Sequence, residues 1–320
     1  MGDNNCNILK EDFFTLSSII VLVIISSEVF VGMWINSFIV AVNCIERVKH
    51  RCQSSSDNIV AVLATSRFCF LFKTMLQTFC STFYPWIYYK SSVLQAFRAV
   101  TWFLSSSNQC FATCLYVFYC VKIANFSHPL FICLKFKISK LVPWLLLASV
   151  FFSLFISLPF LNAIYKIQCN DFNSSNPINY NAVNITVETA ISSVLLICGT
   201  GFSMSFTIFI ISALLLLFSL WRHTRQMQNN ASSFRSPSMK AHIQAMKAIM
   251  SFLIINVINF MALVIILTDI FQENFVVSVI CPIMVDVCPT VHSIILILSN
   301  PKLKKTLIKA LHYGKCARVE

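Results

Sequence analysis

Charge is scarce in this chain: Asp, Glu, Lys and Arg together make up 11% of its residues, where a soluble domain carries about a quarter. That shortage excludes a water-facing surface, because too few polar side chains exist to cover one. Glycine is also scarce, with 5 in 320 residues, and glycine-poor apolar segments stay helical rather than closing a β-barrel. Other signals are missing as well. No internal repeat or matched pair of broken helices points to a transporter. No glycine-rich filter or ring of acids points to a channel. Nothing resembles a nucleophile elbow, a phosphate loop or an HExxH zinc helix, so catalysis is not expected. No CxxC pair or Cys/His cluster has metal spacing, and neither a metal nor another cofactor is expected.

What is present is oil. Hydrophobic residues make up 57% of the chain, and phenylalanine alone accounts for 30 positions. Most of the 14 cysteines, Cys110, Cys114 and Cys198 among them, sit inside apolar runs as small polarizable side chains. The net charge of +12 does not mark a nucleic-acid face, because the basic residues are confined to short linkers between those runs.

A spanning helix needs about 20 apolar residues. Seven segments qualify, at roughly 17–43, 57–83, 93–121, 140–164, 189–220, 244–268 and 277–299. The third is the least apolar, with Ser105, Ser106, Ser107, Asn108 and Gln109 at its centre. After the seventh, Lys302 to Tyr313 places Leu303, Leu307, Ile308 and Leu311 on one face and lysines on the other, as a helix lying on a membrane surface does. The expected fold is therefore an all-α membrane protein. It comprises an amino-terminal segment (1–16), a seven-transmembrane-helix bundle (17–299), and a tail (300–320) carrying a short amphipathic surface helix.

Charge bias orients the bundle. With the N-terminus outside, 18 of the 24 Lys and Arg fall in inner linkers and tail, and only Lys10, Lys90, Arg98 and Lys166 fall outside. The expectation is a multi-pass plasma-membrane protein with an extracellular N-terminus and a cytoplasmic C-terminus. The sequons at Asn173 and Asn184 fall in an outer linker and are the candidate glycosylation sites.

Ionisable residues at membrane depth are costly and mark function or a partner. Glu28, Arg67, Lys73 and Asp286 are of this kind, accompanied by His292. Helical rise places Glu28, Asn36 and Arg67 close enough to form one interhelical polar cluster. It either staples the first two helices together or rearranges on activation, and both readings stay open. Asp286 lies shallow enough to reach a cavity open to the outside, between Pro282 and Pro289, which favour an irregular helix. It is either a pocket acceptor for polar or cationic ligands or a partner of a group such as Ser105 or Asn259. Trp102 either joins Ser105, Ser106, Asn108 and Asn259 in lining a mixed-polarity cavity or anchors at the interface. Lys73 snorkels or pairs within the bundle.

Motifs in order along the whole chain carry a family resemblance. They include Gly32-Met-Trp-Ile-Asn36, Ala64-Thr-Ser-Arg67, Phe118 to Leu130, Ser219-Leu-Trp-Arg-His-Thr-Arg225, Pro237 to Lys247, His292-Ser-Ile-Ile-Leu296 and Asn300-Pro-Lys-Leu-Lys304. Together they resemble the type 2 (bitter) taste receptors. Absences agree. Tyr119-Cys120-Val121 stands where rhodopsin-like receptors carry an acidic-Arg-Tyr triplet, and residues 88–97 hold no Cys. The chain departs from the family in having Ser205-Phe206 where Pro-Phe is usual, and Asn259 at an aromatic position. A vomeronasal type 1 receptor matches these motifs less well.

The resemblance implies a receptor that binds small, mostly apolar tastants between helices and activates a heterotrimeric G protein of the gustducin or inhibitory class. It implies Trp102, Ser105, Ser106, Asn108, Asn259 and Asp286 as pocket lining. It adds His292 and Ser293 to the Glu28, Asn36 and Arg67 network. It turns Tyr119, Lys122, Arg222, His223 and Lys240 toward the G protein, where basic linkers suit an anionic partner or membrane lipid.

Overall fold

The computed structural model describes residues 16–50, 54–123, 129–161, 165–169, 183–187, 191–230, 237–268 and 280–316. Proline sets four of the nine helix starts among the described residues. Pro85, Pro129, Pro237 and Pro301 each open a helix, where the missing N–H has no partner to lose. The helices are α1 (Leu16–His50), α2 (Ser55–Phe83), the short α3 (Pro85–Tyr88), α4 (Ser91–Ile123), α5 (Pro129–Leu161), α6 (Ile191–Asn230), α7 (Pro237–Thr268), α8 (Cys281–Ser299) and α9 (Pro301–Cys316).

Several helices outrun the apolar segments. α5 begins at Pro129 rather than near 140, and α6 ends at Asn230 rather than near 220. Hydropathy falls where lysine and arginine begin, but the backbone hydrogen-bond ladder continues past them. Around the prolines expected to favour an irregular helix, Ile280 is π-helical and α8 then continues through Pro282 and Pro289. Pro282 lies in its first turn, where no intrahelical donor is required.

The all-α expectation misses one element. Strands β1 (Tyr165–Cys169) and β2 (Val183–Val187) pair antiparallel, with Tyr165 opposite Val187 and Cys169 opposite Val183. Their sequences alternate: Tyr165, Ile167 and Cys169 share one face with Val183, Ile185 and Val187, and the polar residues share the other. The hairpin marks one side of the bundle, and α9 marks the opposite, tail side.

Two apolar cores stack along the bundle axis. The hairpin-side core joins Val29, Leu71, Trp102, Phe202, Leu263 and Val285. The tail-side core joins Ile39, Leu63, Leu115, Phe209, Phe252 and Leu296. Aromatic rings carry the tail-side core across four helices: Tyr116 meets Phe209 at 4.6 Å and Phe252 at 6.2 Å, and Phe252 lies 4.1 Å from the His292 ring. The outer surface is apolar too. Trp34 is 81% exposed and Phe136 80%, which suits lipid and not water. Six helices among the described residues (α1, α2, α5, α6, α7 and α8) are long and apolar enough to cross a membrane. α4 is as long but falls outside that group, in keeping with its polar centre.

α9 docks by its amphipathic face. Leu303 is buried in the tail-side core and Leu307 packs against it, while Ile308 stays exposed.

Candidate functional site

The register of α1 against α2 and α8 is set by a close approach at Gly32. A Cβ there would collide with the Thr290 hydroxyl and lie 2.7 Å from Leu71 Cδ1. One turn toward the tail, Asn36 and Arg67 are thereby brought level. Arg67 Nη1 donates to Ser293 Oγ at 2.9 Å, and Ser293 Oγ donates to Asn36 Oδ1 at 2.8 Å. Asn36 Nδ2 closes the chain on the Gly32 carbonyl at 2.8 Å. All three side chains are buried, and α1, α2 and α8 are thus tied by one continuous hydrogen-bond path.

Glu28 is not part of it, contrary to the sequence expectation. It precedes Asn36 by two helical turns, about 12 Å of rise, and so lies level with Thr74 and Met75 rather than with Arg67. Both carboxylate oxygens of Glu28 are buried without a hydrogen-bond partner. His292 stands beside Ser293 in the chain, yet neither of its ring nitrogens has a partner.

On the hairpin side the ionisable groups find other neighbours. Thr74 Oγ1 donates to Asp286 Oδ1 at 3.2 Å; neither Ser105 nor Asn259 bonds this carboxylate. Lys73 Nζ donates to Gln77 Oε1 at 2.9 Å and Thr101 Oγ1 at 2.8 Å. Gln77 in turn donates to the Tyr88 hydroxyl at 3.0 Å, tying α2, α3 and α4. Lys73 and Glu28 both lie within electrostatic range of Asp286. Trp102 is no interfacial anchor: it is buried, stacked on Phe160 at 5.0 Å and edge-on to Phe202 at 5.5 Å.

Around these residues, polar atoms are left open. Ser105 Oγ, Asn108 Oδ1, Asn259 Oδ1 and Thr290 Oγ1 are buried without partners, and Gln109 Nε2 joins them. Ser106 is buried as well. Ser105 lies one turn inward of Trp102, and Asn259 one turn inward of Leu263, both of which belong to the core that contains Val285. Asn108 lies about two turns inward of Trp102 and Thr290 one turn inward of Asp286, so the unpartnered atoms extend from near the level of Asp286 inward by about 10 Å.

Sequence reasoning passed over Thr74, Gln77, Thr101 and Tyr88. The Lys73 and Gln77 pair had a signal, its four-residue helical spacing; the contacts between helices had none.

The tail-side residues separate by exposure. Lys122 is exposed, with Nζ 5.3 Å from the Phe118 ring centre. Arg222 and His223 are exposed, and Tyr119 is half-buried. Lys240 is placed on α7 by its backbone, and its side chain lies outside the described residues, as does all of Asn173. Asn184 stands opposite Gln168 in the hairpin. Lys302 bridges α9 to the rest, pairing with Glu46 of α1 and, at 3.0 Å, with Asp57 of α2. Partial burial pulls the Lys302 ammonium down, but the hydrogen bonds it donates to the Glu46 and Asp57 carboxylates outweigh this and hold it above the ordinary lysine value.

This arrangement has counterparts. The family model described as Taste receptor protein (TAS2R) matches residues 14–315. The chain belongs to the taste receptor type 2 family. It is 39% identical to taste receptor type 2 member 40 of Gallus gallus, over 95% of this chain and 98% of that one. It is 35% identical to taste receptor type 2 member 9 of Homo sapiens, over 93% and 95% respectively. Taste receptor type 2 member 39 of Mus musculus matches at 34%, over 94% and 93%. Such relatives are receptors and not enzymes. Family and apolar helices together make this a multi-pass membrane receptor, with the polar groups above in its interior.

Proposed function

We propose that this receptor binds small, mostly apolar bitter compounds in an interhelical pocket on the hairpin side and activates a heterotrimeric G protein of the gustducin or inhibitory class. The observation that carries the reading is the set of buried, unpartnered polar atoms on α4, α7 and α8 that extends inward from near Asp286. A buried polar atom left open costs about 1–3 kcal/mol, and a ligand with one or two polar groups would satisfy several at once. Trp102, Ser105, Ser106, Asn108, Asn259 and Asp286 are the proposed lining, with Trp102 and its stacked rings as the apolar floor.

Topology follows. α4, 33 residues long, completes the seven spans as the third in chain order, its low hydropathy explained by serines turned into the bundle. The hairpin side and the N-terminus face outward; the tail side faces the cytoplasm at the plasma membrane, with α9 on the inner leaflet. Tyr119, Lys122, Arg222, His223 and Lys240 meet the G protein there, and neighbouring basic residues meet anionic lipid. The outer linker carries glycans on Asn184 and Asn173. Ligand binding shifts a pre-existing equilibrium by its differential affinity for the active state, with Asn36, Arg67, His292 and Ser293 as the interior contacts that change.

The test is ligand-evoked calcium release in cells carrying a promiscuous G-protein α subunit, using a panel of plant alkaloids and terpenoids. Responses that require the α subunit support the reading. Substrate uptake or current in its absence would replace the receptor with a carrier or channel.

A further inference from the structure

On the tail side, His223 of α6 and His242 of α7 place their ring centroids 5.1 Å apart with the planes inclined at 44°. His223 is exposed and His242 half-buried, so both can be reached by small solutes. We propose that this pair is a metal site that takes a borderline transition ion, zinc in particular, and tethers α6 to α7.

The spacing is that of a shared metal. With a Zn–N distance of about 2.1 Å, each imidazole centre lies about 3.2 Å from the ion, and two rings at the tetrahedral angle are then about 5.2 Å apart. The observed centroid separation matches that spacing, and side-chain rotation alone can turn a nitrogen of each ring toward the ion. Neither α6 nor α7 carries an Asp or Glu, so the protein donors are imidazole nitrogens alone, with water completing the shell. Such a donor set selects zinc or copper over magnesium or calcium.

Cations nearby weaken the site without abolishing it. Arg222 and Arg225 flank His223 at one and two positions, and Lys240 precedes His242 by two, so none shares a helix face with its histidine. Arg225 is drawn over the Trp221 ring, 5.4 Å from its centre. Among the described residues no group of three or more His, Cys, Asp and Glu side chains gathers as for a metal, so this is a two-residue site that binds in the micromolar rather than the structural range. Its ligands are far apart in sequence and on different helices, which is why spacing along the chain could not show it.

A bridging ion favours the arrangement in which the two rings meet and opposes any state that parts these helix ends. That consequence for signalling rests on the G-protein reading above; the metal site does not.

The site is tested on purified, full-length receptor loaded with one equivalent of copper(II). Pulsed electron paramagnetic resonance should report two imidazoles on one copper. His223→Gln and His242→Gln should each reduce this to a single imidazole or none. A two-imidazole spectrum that survives either substitution, or none in the unsubstituted receptor, overturns the proposal. In membranes, zinc should lower agonist-driven nucleotide exchange about tenfold, a chelator should restore it, and His242→Gln should remove the sensitivity. Equal zinc sensitivity with and without His242 overturns the tether. Absence of any exchange, metal or not, counts against G-protein coupling, and the copper spectrum then decides the site.

Discussion

The middle of the bundle holds a continuous path of paired polar groups that the hairpin half lacks, although Ser66, Tyr116 and His292 near that path also keep unpartnered atoms. In the middle, Arg67, Ser293 and Asn36 are joined donor to acceptor in a path that ends on a backbone carbonyl. Toward the hairpin, Glu28, Ser105, Asn108, Asn259 and Thr290 keep buried atoms open. The first arrangement holds helices together, because each group has exchanged water for protein. The second holds free energy in reserve, to be recovered by whatever supplies the missing partners. In the pocket proposed above, a ligand with polar groups would supply those partners.

Substitutions in the two regions should therefore differ in kind. Arg67→Ala should have the largest effect on folding. It leaves Ser293, the partner of Asn36, without its charged donor and opens a cavity, at a cost of about 3 kcal/mol or more. Surface staining and the thermal midpoint of detergent-solubilised receptor should both fall, and a normal midpoint would erase the contrast. Asp286→Ala should leave surface staining intact while agonist potency falls about tenfold to a hundredfold, the worth of one charge-assisted hydrogen bond. Unchanged calcium dose–response curves would remove Asp286 from the pocket.

Glu28→Gln sharpens the comparison by sign. Replacing an unpartnered carboxylate with a neutral amide should raise stability by about 1 kcal/mol, seen as a higher thermal midpoint. A fall would mean that Glu28 has a partner of its own in the membrane. The smallest effect belongs to the surface. Lys302→Met removes the bridge from α9 to Glu46 and Asp57; with the lysine side chain 40% exposed, solvent screening limits the loss to about 0.5 kcal/mol. Because the folded state raises the Lys302 value, the bridge contributes fully below the ordinary lysine value and is lost as pH climbs above it. Titrating thermal stability into the alkaline range should show that loss in the parent and not in the variant, and added salt should shrink it.

Much of the fold was legible in the residues. Each predicted apolar segment has a helix, and the amphipathic tail became α9 with Leu303 inward. The hairpin was legible and overlooked: the alternation of Tyr165, Ile167 and Cys169 is a strand pattern of period two, masked by its place between long helices. The buried polar groups were legible in composition but not in pairing. That Glu28, Arg67, Lys73 and Asp286 turn inward follows from the cost of exposing them to lipid. Which neighbour each meets does not, as Glu28 demonstrates: helical rise put it within reach of Arg67, and the register at Gly32 put it two turns away.

Sequence by itself determined where helices form, which faces avoid lipid and which chemical groups the interior holds, because hydropathy and periodicity are properties of a chain segment read alone. Only the tertiary structure decided that Ser293 completes the Asn36 and Arg67 path, that Thr74 serves Asp286, and that His223 meets His242. Partner choice depends on the axial offset and rotation of one helix against another. Those are fixed by close approaches such as Gly32 against Thr290, which join residues hundreds of positions apart and leave no trace in local pattern.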